Sequence, residues 1–298
     1  MTDQKTLRLG VAGLGNVGAG LVKLVQGQDK LRLGGRLEIS GVSARNRNRD
    51  RGVDISAYHW ADDPMELATA DNVDIYVELI GGADGPAKLS VEAALKAGKH
   101  VVTANKALIA EHGKELAELA EANNAHLLFE AAVAGGIPIV RSVRDSLAGV
   151  EIERISGILN GTCNYILSEM LSSGQPYADV LADAQRLGYA EADPFLDVSG
   201  TDAAHKAAIL AAIAFGASPD FSKVSVSGVD TVDALDIQLA AKLDYRIRLV
   251  AEAERREDGV RCFVAPAMFS LSHPLAQVLG PTNAVMVEGE PVGRVTLT

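Results

Sequence analysis

The sequence predicts an α/β protein, a Rossmann-like doubly wound parallel sheet followed by a second, α+β domain. Three observations carry this. Strand-like and helix-like stretches alternate over about the first 140 residues. A glycine-rich turn, Gly13-Leu14-Gly15-Asn16-Val17-Gly18, lies between the first strand and the first helix. From about Arg141 the alternation gives way to helices followed by a run of strands. Strands that alternate with helices pair in parallel through right-handed crossovers.

In order, Leu7–Ala12 reads as a buried strand and Val17–Gln26 as a helix. Leu37–Ala44 is strand-like, Pro64–Ala70 suggests a short helix, and Asp74–Ile80 is another apolar strand. Ser90–Ala97 is helical, His100–Thr103 a short strand, Gly113–Asn123 a helix with a Glu-rich exposed face, and Ala125–Glu130 a further strand. Beyond Arg141, Leu147–Leu159 can hold strands, while Gly161–Ser172 and Ala178–Leu187 look helical. Thr201–Phe215 is Ala-rich and apolar almost all round, which predicts a buried helix. Asp236–Leu243 then precedes strand-like segments at Tyr245–Glu254, Val260–Met268, Asn283–Glu288 and Pro291–Leu297, the first two joined by an Asp258-Gly259 hairpin signal. The expected division is 1–140 and 141–298, the second part holding a sheet covered on one face. No internal repeat or low-complexity segment interrupts either part.

Composition excludes several classes. With 298 residues, 48% hydrophobic and 22% charged, the chain buries a sizeable core and is neither disordered, collagen-like nor a disulfide scaffold. Its 39 acidic and 28 basic side chains leave a net charge of −11, the wrong sign for a phosphate-backbone binder, so no nucleic-acid partner is expected. Two cysteines, Cys163 and Cys262, lack metal-binding spacing, and the histidines show none either. The N-terminal sequence has no secretory pattern, and the longest apolar stretch, Ala207–Ala217, is far shorter than the roughly 20 residues that span a bilayer. The expectation is a soluble cytoplasmic protein without a membrane partner.

The glycine turn is a full GxGxxG in its required context, after a strand and opening a helix. Its glycines permit a tight turn, close approach to a pyrophosphate and close helix–strand packing. Gly13, Gly15, Asn16, Val17 and Gly18 are therefore the expected nicotinamide dinucleotide contacts, although such a turn also occurs without a ligand. An acid at the end of the second strand would repel a 2′-phosphate; here the chain reads Ser43-Ala44-Arg45-Asn46-Arg47. Arg45 is placed to form charge-assisted bonds to that phosphate, which favours NADP and leaves NAD open. A solvated Arg-rich loop is the plainer alternative.

Strand ends at the carboxyl edge face the ligand crevice. Gly81-Gly82 and Thr103-Ala104-Asn105-Lys106 fall there, so Gly81 and Lys106 are expected near the nicotinamide, although an exposed position is the commoner fate of a lysine. The stretch Gly188–Lys206 places Glu191, Asp193, Asp197 and Asp202 just before the apolar helix, with Asp202 and Lys206 four residues apart on one face. Such pairs are usually structural. On an otherwise apolar helix, however, the lysine is either buried beside its acid or lines a cleft. Several carboxylates around one lysine suit recognition of a substrate ammonium and proton transfer.

The run Ala184–Lys206, with Gly188, Asp193-Pro194, Asp197, Gly200, Asp202 and Lys206 in register, resembles the signature of homoserine dehydrogenases. NGTCNYIL at Asn160–Leu167, TANKALIA at Thr103–Ala110 and the GLGNVG loop are similar to that family in the expected order. The resemblance covers essentially the whole chain. It implies reversible NAD(P)-dependent interconversion of L-aspartate 4-semialdehyde and L-homoserine, in threonine, methionine and isoleucine biosynthesis. It further implies Lys206 as the acid/base group, with Lys106 at the reacting centre. Glu191, Asp197 and Asp202 would contact substrate, and Gly188 would lie against the cofactor. A sodium-like cation site would comprise Glu130 and the carbonyls of Val133, Gly135 and Ile137; a tight turn explains that segment equally well. A homodimer built through the second domain is expected, since its long strands offer an unpaired edge or face and the family points the same way. The family's C-terminal return segment and regulatory ACT domain lie outside this sequence. A catalytically silent nucleotide-binding subunit and a related dehydrogenase for another small amino acid remain the alternatives.

Overall fold

The alternation of the first 140 residues becomes a parallel sheet in a computed structural model of the chain, which describes residues 6–28, 34–216, 221 and 224–298. The first five residues, part of the stretch read for a leader, and Ala217, the end of the longest apolar stretch, lie outside the described residues. The chain divides into two units, Met1–Ala132 and Val133–Thr298.

The first unit runs β1 (Thr6–Ala12), α1 (Asn16–Gln26), β2 (Arg36–Ser43), β3 (His59–Ala61), α2 (Pro64–Thr69), β4 (Ile75–Glu78), α3 (Pro86–Lys96), β5 (His100–Thr103), α4 (Lys106–Ala122) and β6 (Leu127–Leu128). The strand order is β3-β2-β1-β4-β5-β6, with every pairing parallel. Chain direction across the sheet reverses between β1 and β4, so the loops after these strands diverge and leave a crevice at their carboxyl ends. Each face of the sheet carries an apolar cluster. Val11, Val22, Val42 and Val77 belong to one, and Tyr76, Leu95, Leu108 and Leu116 to the other. Adjacent Tyr76 and Val77 fall in different clusters because strand side chains alternate faces.

Three elements depart from the sequence reading. The edge strand β3 was not anticipated, since three residues are too few for a periodic signal. β6 covers two residues rather than six, as suits a sheet edge. α4 begins at Lys106 instead of near Gly113, because the Asn105 side-chain oxygen Oδ1 accepts the Leu108 N–H at 3.1 Å and caps the helix there.

The second unit begins with α5 (Ile139–Arg141), which runs into a π turn at Ser142–Ser146, then β7 (Glu151–Ile158), α6 (Gly161–Ser173), α7 (Tyr177–Leu187), α8 (Phe195–Val198) and α9 (Thr201–Phe215). It continues through β8 (Ser225–Val226), α10 (Ala234–Lys242), β9 (Tyr245–Arg256), β10 (Gly259–Ser270), β11 (Ala284–Glu290) and β12 (Gly293–Leu297). The sheet order is β12-β11-β7-β9-β10-β8, antiparallel except for the β8–β10 pair. Gly259 pairs with Arg256, so the β9–β10 turn is Glu257-Asp258 and Gly259 opens the next strand, at a φ of +133°. The Ala-rich α9 lies against β7, β9 and β10, with Ala204, Ala207, Ala208 and Ala211 buried. The opposite face is not bare: the 3-10 turn Pro274–Gln277 buries Leu275 against Ile158 and Val250. Among the described residues no helix is long and apolar enough to cross a membrane.

Candidate active site

The glycine loop is built as a cradle. Gly13 has a φ of +99°, and its N–H donates to the Ser43 carbonyl at 2.9 Å. A Cβ on Gly13 would come within 2.2 Å of the Leu79 carbonyl oxygen, and one on Gly18 within 2.1 Å of the Gly13 carbonyl oxygen. Both glycines are therefore required by packing. Gly15 differs, since nothing lies within 4 Å of its Cβ position. It caps α1 without any side-chain hydrogen bond, and the next residues, Asn16 and Val17, are exposed. The first N–H groups of α1 thus face open space at the positive end of the helix dipole, a fitting seat for a pyrophosphate.

Arg45 follows β2 and is exposed; among the described residues it makes no hydrogen bond or ion pair. Its neighbours are occupied. The Arg47 and Arg51 guanidiniums lie 5.8 and 5.7 Å from the centre of the Trp60 ring, and Arg51 also donates to the carbonyls of Arg49 at 2.6 Å and of Asn46. The basic loop is therefore not uniformly solvated. At the ends of β4 and β5, Gly81 and Gly82 adopt φ values of +86° and +85°, and partly buried Lys106 opens α4. Glu78, the last residue of β4, is wholly buried at this edge; sequence reasoning did not single it out.

In the second unit the end of β7 and three helices, α6, α8 and α9, meet around one asparagine. Asn160 caps α6, its side-chain oxygen accepting the Cys163 N–H at 2.8 Å. Its amide nitrogen donates to Asp197 Oδ1 at 2.7 Å and to Asp202 Oδ2 at 2.9 Å. The same Asp202 oxygen accepts from Lys206 Nζ at 2.6 Å, and Nζ also donates to the Leu159 carbonyl at 2.8 Å. The Asp202 and Lys206 side chains are 6% and 16% exposed, so this i,i+4 pair is nearly desolvated. An ammonium carries three donors; two are taken here, which leaves one for a substrate oxygen.

The structure thus brings Asp197, Asp202 and Lys206 together and adds Asn160, which the sequence reading had noted only as part of a motif. A usable signal was present, an Asn between a strand and a helix, the usual N-cap position. Gly188 and Glu191 lie on the exposed loop after α7, whose Tyr189 carbonyl accepts the Thr162 hydroxyl of α6 at 2.7 Å. Gly188 ends α7 at a φ of +80°, and the loop is tied down by Gln185, which donates to the carbonyls of Glu191 and Ala192 at 3.1 and 3.2 Å. The Glu191 carboxylate has no partner among the described residues.

Cys163 is fully buried, its Sγ donating to the Asp197 carbonyl at 3.2 Å. Burial first, then Asp197 and Asp202, push its thiol far above the ordinary range, so it offers no thiolate nucleophile. Glu130 begins a 3-10 turn at the end of the first unit. The Val133–Ile137 segment opens the second, with Ala134 and Gly135 at φ values of +54° and +61°. A carboxylate with main-chain carbonyls is the donor chemistry of a hard cation, though the Ile137 carbonyl already accepts the Ile139 N–H at 2.8 Å. Asp84, Glu111 and His112 also gather their ligand atoms within 4.8 Å of one another, a grouping of distant residues that histidine spacing alone could not reveal.

Known proteins agree with this architecture. Residues 138–298 match the model of the homoserine dehydrogenase family, and residues 13–130 that of the homoserine dehydrogenase NAD-binding domain. A homoserine dehydrogenase of Neisseria gonorrhoeae is 44% identical over 293 residues, covering 97% of this chain and 67% of that protein. The crystal structure of a homoserine dehydrogenase from Thiobacillus denitrificans superposes with a TM-score of 0.92 at 41% identity, covering 98% of this chain and 68% of that one. A hyperthermophilic archaeal homoserine dehydrogenase in complex with NADPH gives a TM-score of 0.81 at 28% identity, covering 98% and 91%. The chain spans about two thirds of the length of the first two.

Proposed function

The chain belongs to the homoserine dehydrogenase family, oxidoreductases acting on a CH–OH group, and from that premise we propose which of its residues carry the interconversion of L-aspartate 4-semialdehyde and L-homoserine. The observation that supports the assignment most is Lys206, held on an apolar helix by Asp202 and the Leu159 carbonyl with one donor left over.

The dinucleotide, when bound, supplies hydride transfer at its nicotinamide ring. In the reducing direction the Lys206 ammonium gives a proton to the aldehyde oxygen as the carbon gains hydride, which leaves a neutral amine and an alcohol. In the oxidising direction the amine takes the hydroxyl proton back. Asp202 orients Nζ, and Asn160 holds Asp202 and Asp197 in register, so neither carboxylate must reorganise during transfer. Glu191, exposed and unpaired among the described residues, suits the substrate ammonium, with Asp197 as a further acid. Lys106 at the start of α4 serves the reacting centre near the nicotinamide, which Gly81 and Gly188 would border.

Gly13, Gly15, Asn16, Val17 and Gly18 would hold the pyrophosphate, and Arg45 the 2′-phosphate, giving a preference for NADP. Glu130 with the carbonyls of Val133, Gly135 and Ile137 would take a monovalent cation such as sodium. The buried, free thiols of Cys163 and Cys262 fit a reducing compartment, the cytoplasm. The protein would act as a homodimer, with the domain boundary near residue 140.

The test is oxidation of L-homoserine with NADP⁺, run beside L-serine, L-threonine and other small hydroxy amino acids. Reduction of NADP⁺ with homoserine well above the others is expected. A faster rate with another alcohol would move the assignment to a related dehydrogenase, and bound cofactor without any turnover would indicate a silent nucleotide-binding chain.

A further inference from the structure

Glu78 is a carboxylate with no exposed surface, and its partners are neutral groups. One oxygen accepts the main-chain N–H groups of Ile80 and Gly81 at 2.7 and 3.1 Å, and the other accepts the Thr103 hydroxyl at 2.5 Å. Thr103 Oγ1 in turn accepts the Asn105 N–H at 2.9 Å, and the Asn105 amide donates to the Gly82 carbonyl at 2.7 Å. The bonds close a circuit, from β4 to β5, to the start of α4, to the glycine turn and back to β4.

Burying a carboxylate among neutral donors is costly, and an apolar side chain would fill the same volume without that cost. What the carboxylate supplies is geometry. Gly81 and Gly82 are consecutive left-handed residues with open space at their Cβ positions, so local packing does not hold the turn. Two glycines in sequence have the greatest freedom to lose. Glu78 fixes the amide side of that turn, and Asn105 fixes its last carbonyl while capping the helix that begins with Lys106.

The strand order says what the turn serves. Arg45 follows β2, the phosphate cradle follows β1, and β4 and β5 come next in the sheet. A dinucleotide laid along this edge from its 2′-phosphate end presents its nicotinamide half to the ends of β4 and β5. We propose that Glu78, Thr103 and Asn105 are positioning residues whose circuit sets the Gly81-Gly82 turn and the start of α4 for the nicotinamide half of the cofactor. This rests on the cofactor reading above.

The experiment compares binding of NADPH with binding of adenosine 2′,5′-bisphosphate, which shares only the adenosine half. Glu78→Gln and Thr103→Val should weaken NADPH about tenfold, the order of one lost bond to a charged group. Bisphosphate binding should stay within about twofold of wild type by the same measure. Thr103→Ser, which keeps the hydroxyl, should restore NADPH affinity. Asn105→Asp keeps the cap acceptor and sets a carboxylate oxygen in place of the donor to Gly82, so it breaks the circuit there even if Glu78→Gln fails to fold; it too should lose NADPH selectively. Equal weakening of both ligands would show a merely structural role and overturn the proposal, as would unchanged NADPH binding in all variants. A wild-type chain that bound neither ligand would instead overturn the cofactor reading, and this proposal with it.

Discussion

A desolvated lysine with one spare donor is a specific thing to build, and the residues around Lys206 show what it takes. Asp202 was legible because a four-residue spacing on an apolar helix forces the two side chains onto one face. The bonds of Asn160 to Asp197 and Asp202, and of Glu78 to Thr103, were not, since these partners lie 37, 42 and 25 residues away and only the fold brings them together. Asn160→Ala should remove a helix cap, worth about 1 kcal/mol, and release two carboxylates. The expected outcome is a lower Tm together with a larger fall in kcat than in cofactor affinity, measured by thermal unfolding and steady-state kinetics. Arg45→Ala should weaken NADP far more than NAD, because a hydrogen bond to a charged group is worth about 1.5–3 kcal/mol. Equal loss for both would show that Arg45 does not read the 2′-phosphate.

Elements with long periodic patterns were legible, the edge strand β12 among them, whereas the edge strand β3 was not and β6 is shorter than its sequence suggests. β3 and β6 are too short to carry a period, and the start of α4 depends on one cap. The loop joining β1 to α1 makes a sharper prediction, because its glycines serve different masters. Gly15→Ala should leave the Tm near wild type, since its Cβ meets nothing, yet should weaken NADPH by intruding on the phosphate seat. Gly13→Ala should instead destabilise the fold, its Cβ meeting the Leu79 carbonyl at 2.2 Å. Calorimetry beside cofactor titration separates the two. β1 is also tied to the start of β4 by Arg8 and Asp74, whose closest atoms are 2.7 Å apart. The Arg8 guanidinium, chiefly through its hydrogen bonds, lowers the Asp74 carboxyl to about 2. A depressed carboxyl favours the folded state when ionised, so its contribution is complete above the unfolded value near 4 and is lost as pH falls toward 2. Arg8→Ala should thus lower Tm at neutral pH and narrow the difference from wild type at pH 2–3.

At the scale of the whole chain, the two-part organisation was legible from the change in alternation, and chemistry-bearing residues fall in both parts. The second sheet carries Arg154 among Glu252, Glu254 and Glu288, with Arg294 on Glu288, an ion-pair ladder on the face away from α9. A homodimer through the second unit predicts twice the chain mass in light scattering at micromolar concentration; a monomer would contradict it. The central claim, that Lys206 moves the proton of a CH–OH/C=O interconversion, meets its most direct test in one assay. NADPH oxidation with L-aspartate 4-semialdehyde is followed for wild type, Lys206→Ala and Lys106→Ala, with NADPH affinity measured on each. The account predicts turnover by wild type and a loss of about 10²–10⁴-fold in Lys206→Ala at nearly unchanged NADPH affinity. Near-normal turnover by Lys206→Ala, with activity abolished in Lys106→Ala, would contradict it and give the proton to Lys106.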